Sequence, residues 1–458
     1  MSHQAVLLPI PIMSKNRFSH LGLLMLSGVA LATTIANSDD VALPASSDIH
    51  ESCLANGSWS QPSYTGSFER RHEAGFVRAG DLFYLLGGRG LDPIGIYDPE
   101  ASTWTEGAAP PLEINHFQPV VINDEIWIAG AMTGNFPREV GLDRILIYNP
   151  ASDSWRDGPE IPDSRRRGSC GVVYHGGFLY MLSGIVDGHR SGWVTWVDRY
   201  EVATDTWTEL PDAPTARDHF QSVISDNKIW NTAGRQSGRS GTFGFTIDTV
   251  DYFDLETNTW STLPESGNIP TPRAGNMAIN YGGLVLVIGG ESLSQNAAHD
   301  EVEVLNPWTL EWSAFDSMVR GRHGTGVIPY EGSLYLASGS GGRGGGPELL
   351  TLEKYSLPAG QDCDNDGTLD AEEISLFNTL GIIGSNLYGE PQIEVTTTTI
   401  ELTDLVVGLR YDIEESSDLA QWSLAETIIA SDESESWELP EMTMDSGNQR
   451  FYRLRFWP

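Results

Sequence analysis

Ile96–Trp104 reads "IYDPEASTW" and Ile147–Trp155 reads "IYNPASDSW". The phrase returns in looser form as "RYEVATDTW" over 199–207, "YFDLETNTW" over 252–260 and "VLNPWTLEW" over 304–312. Its closing residues Trp104, Trp155, Trp207, Trp260 and Trp312 stand 51 to 53 residues apart. A period of that length marks a repeat architecture, in which each unit covers its faces with its neighbours. Ahead of each phrase runs an apolar stretch ending in small residues: "FYLLGG" to Gly88, "IWIAG" to Gly130, "LYMLSG" to Gly184, "IWNTAG" to Gly234 and "LVLVIGG" to Gly290. "LYLASG" to Gly339 makes a sixth. Each unit predicts four short strands, with Asp, Asn and Pro at the hairpin before the Trp strand.

Six glycine ends meet only five tryptophan ends. The sixth unit runs "LLTLEKYSLPAG" over 349–360 and stops without its Trp. "GSWSQP" around Trp59 supplies a strand of the missing type ahead of the first unit. The small-residue pairs, the Tyr shortly before each Trp and the period resemble kelch repeats across about Trp59–Leu357. Two units write the pair as Ala-Gly and two as Ser-Gly. The resemblance implies an all-β fold: a six-bladed kelch β-propeller over 54–358, closed by its N-terminal strand so that no sheet edge is left open.

Composition narrows the partners. The formal charge is −36, from 63 acidic against 27 basic side chains, so the surface as a whole repels phosphate backbones and anionic lipid heads. No nucleic acid partner is expected. Lys15 and Arg17 precede the apolar run Leu21–Ala32, "LGLLMLSGVALA", and Ala30 and Ala32 have signal-peptidase spacing. This predicts a signal peptide over 1–36, with Met13 a possible true start, and a secreted protein, extracellular or periplasmic. The run is short for a membrane span, and no span is expected once the signal is removed.

"DCDNDGTLDAEE", 362–373, places acids at positions 1, 3, 5, 9 and 12 and Gly at 6. Oxygens at those offsets converge on one cation, so a single Ca2+ is expected at Asp362, Asp364, Asp366, Thr368, Asp370 and Glu373. The loop resembles the thrombospondin type 3 or dockerin kind within a linker over 359–389. From 390 to 458 alternating strand patterns predict a small C-terminal β-module, sandwich-like. It resembles a module at the C-terminus of secreted proteins of some environmental bacteria, with an adhesion role or a cell-surface or protein partner expected. Of three cysteines, Cys170 in an inner strand is expected free and buried. Cys53 and Cys363 both flank blade six and are placed to pair.

In a four-stranded antiparallel blade, the start of the first strand and the loop after the second share one face. The candidate ligand-binding residues are therefore His72, Glu73, His116, Arg167, Arg217, His219, Arg273, Arg322 and His323 at the blade starts. Arg89, His189, Arg235, Glu291 and Arg343 join them from the loops. A ring of cations in an acidic protein predicts a locally positive mouth for a carboxylate, a sulfate or an acidic sugar. Glu73, Asp218 and Glu291 add hydroxyl recognition or proton transfer. Galactose-oxidase-like propellers of similar architecture hold copper with His and Tyr, one Tyr cross-linked to Cys. No Tyr stands at a blade start here, so no copper is expected. Sialic-acid epimerases share the architecture too, but none of their motifs is matched. The reading is a carbohydrate- or small-anion-recognising propeller. A sugar-modifying enzyme of epimerase, mutarotase or lyase type, or a protein-interaction platform, stays open beside it.

Overall fold

The computed structural model describes residues 51, 53–361, 370–371 and 374, with backbone strands at 24–25, 392–395, 399–403, 410–416, 423–429, 435–438 and 451–457. The chain divides into two compact units. One, Glu51–Cys363 with Leu369–Gly384, holds six four-stranded antiparallel sheets. Their first strands are Ala74–Ala79, Val120–Ile122, Gly171–His175, Ser222–Ser225, Met277–Tyr281 and Val327–Tyr330. Consecutive first strands lie side by side, and the sixth returns to the first. This is the expected six-bladed propeller.

Its closure is the expected one too. Ser58–Ser60 pairs antiparallel with Leu352–Ser356, so Trp59 stands opposite Tyr355 as the fourth strand of blade six. The slot it fills is defined by the other blades. Tyr97 faces Trp104, Tyr148 faces Trp155, Tyr200 faces Trp207 and Phe253 faces Trp260 across the last two strands. Ring centroids in these pairs are 5.0–5.3 Å apart, a spacing at which aromatic pairs attract beyond their area burial. The indole then reaches back to the preceding blade. Nε1 of Trp155, Trp207, Trp260 and Trp312 donates to the carbonyls of Ala108, Glu160, Pro211 and Gly267, each at 2.9 Å. Trp59 does the same to Asp316 O at 2.9 Å. Five of these six tryptophans thus pack their own blade and tie it to the one before, whereas the buried Nε1 of Trp104 has no hydrogen-bond partner among the described residues.

The glycine ends make the opposite tie, forward to the next blade. N–H groups of Gly88, Gly184, Gly234, Gly290 and Gly339 donate to the carbonyls of Ile114, Arg217, Arg273, Arg322 and Arg71 at 2.8–2.9 Å. Gly290 takes φ +125°, and a Cβ there would sit 3.0 Å from Arg273 Cγ. Both the backbone angle and the close approach exclude a side chain.

Cys53 is disulfide-bonded, while Cys170 is a free buried thiol, which burial pushes up to about 11 and so leaves inert toward nucleophilic chemistry. Cys363 lies outside the described residues, as do the signal peptide and all of the predicted calcium ligands except Asp370. Asp370 is buried and accepts a 2.5 Å bond from Gln361 Nε2, which also bonds Cys53 O at 2.9 Å. Ile374 is fully buried in the cluster containing Trp59 and Tyr355. The second unit, taken by itself, comprises Met1–His50, Asp364–Thr368 and Ser385–Pro458. It carries a sheet of Leu24–Met25, Phe451–Trp457, Arg410–Ser416 and Ser423–Ile429, and another of Gln392–Val395, Thr399–Thr403 and Glu435–Glu438.

Candidate functional site at the channel mouth

One position per blade turns into the channel with left-handed backbone: Glu73, His116, Ser169, His219, Gly275 and Gly324, at φ 54–67°. Four of the six are not glycine, and each pays on the order of 1 kcal/mol for that conformation. A belt of hydrogen bonds around the channel offsets the strain. The N–H of His116 bonds Glu73 O, Ser169 bonds His116 O, His219 bonds Ser169 O, Gly275 bonds His219 O and Gly324 bonds Gly275 O, at 2.7–3.1 Å. Ala74 N closes the circle onto Gly324 O at 3.1 Å. Below the belt, two glutamines cross between blades. Gln118 Oε1 accepts from the N–H of Val172 and of Ser222, while Gln221 bonds Ala278 N and Thr325 O. The mouth therefore has a floor.

The belt separates the four histidines at the blade starts into two kinds. His116 and His219 occupy the left-handed position, but His72 and His323 stand one residue before it. His72 Nδ1 lies 2.7 Å from Glu348 Oε1 at the rim. His323 Nε2 donates to Gly342 O and Gly344 O, both at 2.9 Å. The glycine-rich loop thus wraps a histidine, and Gly344 N–H is already bound to Glu291 Oε2 at 2.7 Å.

The arginines are placed elsewhere. Arg167, Arg217, Arg273 and Arg322 are fully buried inside their own blades. Each guanidinium clamps carbonyls at the end of the second strand and a carboxylate on the third. Arg217 bonds Ala233 O at 2.8 Å and Asp251 Oδ2 at 2.7 Å. Arg167 bonds Ser183 O and Asp198 Oδ2 at 2.6 Å, Arg273 pairs with Glu303, and Arg322 bonds Ser338 O and Glu353 Oε1. They are intrablade struts and do not line the mouth. The sequence pattern found them because the strut recurs from blade to blade, blade two alone of the six having Ile114 at that place.

What the mouth does collect is imidazole and carboxylate. His189 arrives at the tip of a hairpin, Ile185–Asp187 with Ser191–Trp193, pinned to the next blade by Trp193 Nε1 on Ser237 O at 2.7 Å. The rings of His116, His189 and His219 approach one another edge to face, with centroids 4.6–4.7 Å apart. Arg89 bridges Glu73 and Glu139, and Arg235 pairs with Glu291. Four carboxylates, on Glu73, Glu139, Asp218 and Glu291, stand around the imidazoles with two guanidinium groups, Arg89 and Arg235. The loop cations expected from sequence to leave a positive mouth are thus paired with carboxylates here rather than free.

Burial pushes His116 down to about 4 against the pull of Glu73, and burial with Arg235 nearby holds His219 well below the usual histidine value. Both rings are neutral at pH 7. Burial alone would raise Glu291, but His323, Arg235 and the Gly344 N–H hold it at about 2. A folded value below the unfolded one adds stability that is full above about pH 4.5 and lost as pH falls toward 2. Glu291→Gln is expected to flatten that acid limb, removing up to about 3 kcal/mol of pH-dependent stability. Urea unfolding of both proteins at pH 7, 4 and 3 reads it; parallel curves would refute the assignment.

The cavity enclosed by the belt residues measures about 50 Å³. That holds an ion with a few waters and is too small for a sugar ring. Beside it, an open depression of about 580 Å³ is lined by Asn135, Phe136, Pro137, Arg138 and Arg190. Phe136 is exposed and its ring lies 5.0 Å from that of His189. Glu139 and the depression were missed in the sequence, because the loop that supplies them obeys no repeat.

Comparisons agree with this architecture. The KLHDC2/KLHL20/DRC7 Kelch-repeats domain matches residues 119–339. The chain is 27% identical over 304 residues to Kelch-like protein terF of Aspergillus terreus, covering 62% of this chain and 64% of that protein. It is 23% identical over 322 residues to human Kelch-like protein 23, covering 69% and 54%. The chain thus spans less than two thirds of both relatives. The solved structure of YjhT superposes with TM-score 0.53 at 15% identity, over 62% of this chain and 95% of that one, and shares the fold. With the repeat, the belt and the closing strand in place, residues 58–356 form a six-bladed kelch β-propeller.

Proposed function

We propose that the propeller is a ligand-binding module whose ligand is a carbohydrate, with an acidic substituent accommodated beside the sugar ring. The observation that carries this reading is the depression next to the imidazole cluster. Its volume suits a sugar, Phe136 offers an exposed aromatic face for the ring, and Arg138 and Arg190 supply cations for a carboxylate or sulfate. The buried His, Glu and Asp groups then meet the ligand's hydroxyls at one end. The predicted signal peptide would deliver the site to extracellular or periplasmic glycans. Screening on a glycan array, followed by calorimetry on the best acidic sugar, tests it. Phe136→Ala is expected to weaken binding roughly 10-fold, about 1.4 kcal/mol, without changing thermal stability. Equal affinity in the variant, or no glycan bound at all, would sink the reading.

A protein partner is the second reading, favoured by one feature. Leu91, Phe136, Val140, Val186, Phe245, Leu293 and Leu350 are all exposed, and all lie in loops between second and third strands. The topology puts those loops on the mouth face, where apolar groups from many blades suit a macromolecular surface.

A further inference from the structure

We propose that His116, His189 and His219 bind one divalent first-row transition metal ion, of Zn2+ type, through their three Nε2 atoms. The argument begins behind the rings. His189 Nδ1 faces Glu139 Oε2 at 3.0 Å, and His219 Nδ1 faces Asp218 Oδ1. His116 Nδ1 faces Asn115 Oδ1 at 2.7 Å. The Asn115 amide is oriented by its own Nδ2, which donates to Glu113 Oε1 at 2.9 Å. Asp218 is held as an acceptor by the Ser237 N–H at 2.9 Å and the Ser237 hydroxyl at 2.5 Å. Every Nδ1 therefore meets an acceptor and carries the proton. With Nδ1 of each ring engaged by its acceptor, Nε2 is the nitrogen left to offer a lone pair to a cation.

Those lone pairs converge. One ring nitrogen of each histidine lies within 4.8 Å of those of the other two, and Nε2 of His189 and of His219 face each other at 3.0 Å. His116 Nε2 is buried 2.8 Å from Glu73 Oε1, itself an acceptor. Acceptors aimed at one point repel unless a cation stands among them. A shared proton would satisfy two of the nitrogens and leave the third; a metal ion satisfies all three. Around a tetrahedral ion with bonds of about 2.0–2.1 Å, ligand nitrogens stand about 3.3 Å apart, so small side-chain shifts complete the geometry.

The surroundings have the form of a metal site. Imidazoles backed by carboxylate or amide oxygens are the usual outer shell of His-ligated zinc, fixing both tautomer and ring orientation. The carboxylates of Glu73 and Glu139, in contact with the rings of His116 and His189, help to balance a dication. Nitrogen donors select zinc and its first-row neighbours over calcium, which takes oxygens. Glu73 stands where it can serve as fourth ligand or can hold a metal-bound water, and three protein ligands with an open fourth position leave the ion accessible from the depression. The site deepens the carbohydrate reading and rests on it only for the ligand the ion would meet.

The full chain, stripped with dipicolinate, is titrated with Zn2+ and with Co2+, the latter followed by its visible absorption. One equivalent is expected, with absorption typical of tetrahedral Co2+. His189→Gln and His219→Gln should each weaken binding by more than the ~10–100-fold that loss of an outer-shell partner costs, and Glu139→Gln should fall within that range. Circular dichroism and thermal unfolding of the metal-free variants keep misfolding apart from ligand loss. No stoichiometric ion in the wild-type protein, or unchanged affinity in folded His189→Gln and His219→Gln, would overturn the proposal. Acidic-sugar calorimetry on metal-free and metal-loaded protein separates the two readings: metal without sugar defeats the carbohydrate alone, and sugar without metal defeats the ion alone.

Discussion

Arg217→Ala is expected to destabilise the propeller by about 3–5 kcal/mol, the cost of stranding one partner of a buried ion pair. Both side chains of the Arg217–Asp251 pair are fully buried. Burial lowers the Arg217 value, and Asp251 opposes that shift. Removing the guanidinium leaves the Asp251 charge without its counter-ion, and the carbonyls of Asn231, Ala233 and Thr249 without their donor. Binding at the mouth should be untouched in whatever fraction stays folded. The double variant Arg217→Met with Asp251→Leu should recover much of the loss, because a well-packed apolar pair replaces a buried ionic one at little cost. Denaturant unfolding of the three proteins measures this. A stable Arg217→Ala protein that had lost its ligand would return the arginine to the recognition role expected from sequence.

Trp59→Ala should cost about 3–5 kcal/mol by the same kind of measurement. Trp59 sits in a strand of only three residues and anchors it through a ring 5.3 Å from Tyr355 and the hydrogen bond to Asp316 O. Its loss frees Leu352–Ser356 as an open edge, so the variant should also associate through that edge on size-exclusion chromatography. Unfolding indistinguishable from wild type would mean that closure rests on contacts other than this strand.

The comparison of sequence with structure divides along a physical line. Trp104 to Trp312, the glycine ends and the Asp and Asn turns were legible because each does a local job that every blade must repeat. Counting them yielded six blades and exposed the missing fourth strand, which Trp59 supplies. The buried arginines were legible as a pattern but not as a role, since a strut and a ligand-binding cation would recur alike from blade to blade. Only the tertiary structure separated them, by placing Asp198, Asp251, Glu303 and Glu353 opposite the guanidinium groups.

The mouth was legible only in part. Glu73, His116, His219 and His323 were drawn from the blade starts and Arg89, His189, Arg235 and Glu291 from the loops, but the pairing of these cations with carboxylates was not. That pairing depends on which cations are neutralised inside the blades and which carboxylates the loops bring in. Glu139 comes from blade two, His189 from a hairpin of blade three and His219 from blade four, and nothing in their spacing foretells that their side chains meet. Repetition along the chain determined the scaffold, because every repeat solves the same packing problem. The site was decided by the packing of neighbouring blades: the loops offered Arg89, His189, Arg235 and Glu291 as candidates, but share no pattern that tells which side chains meet.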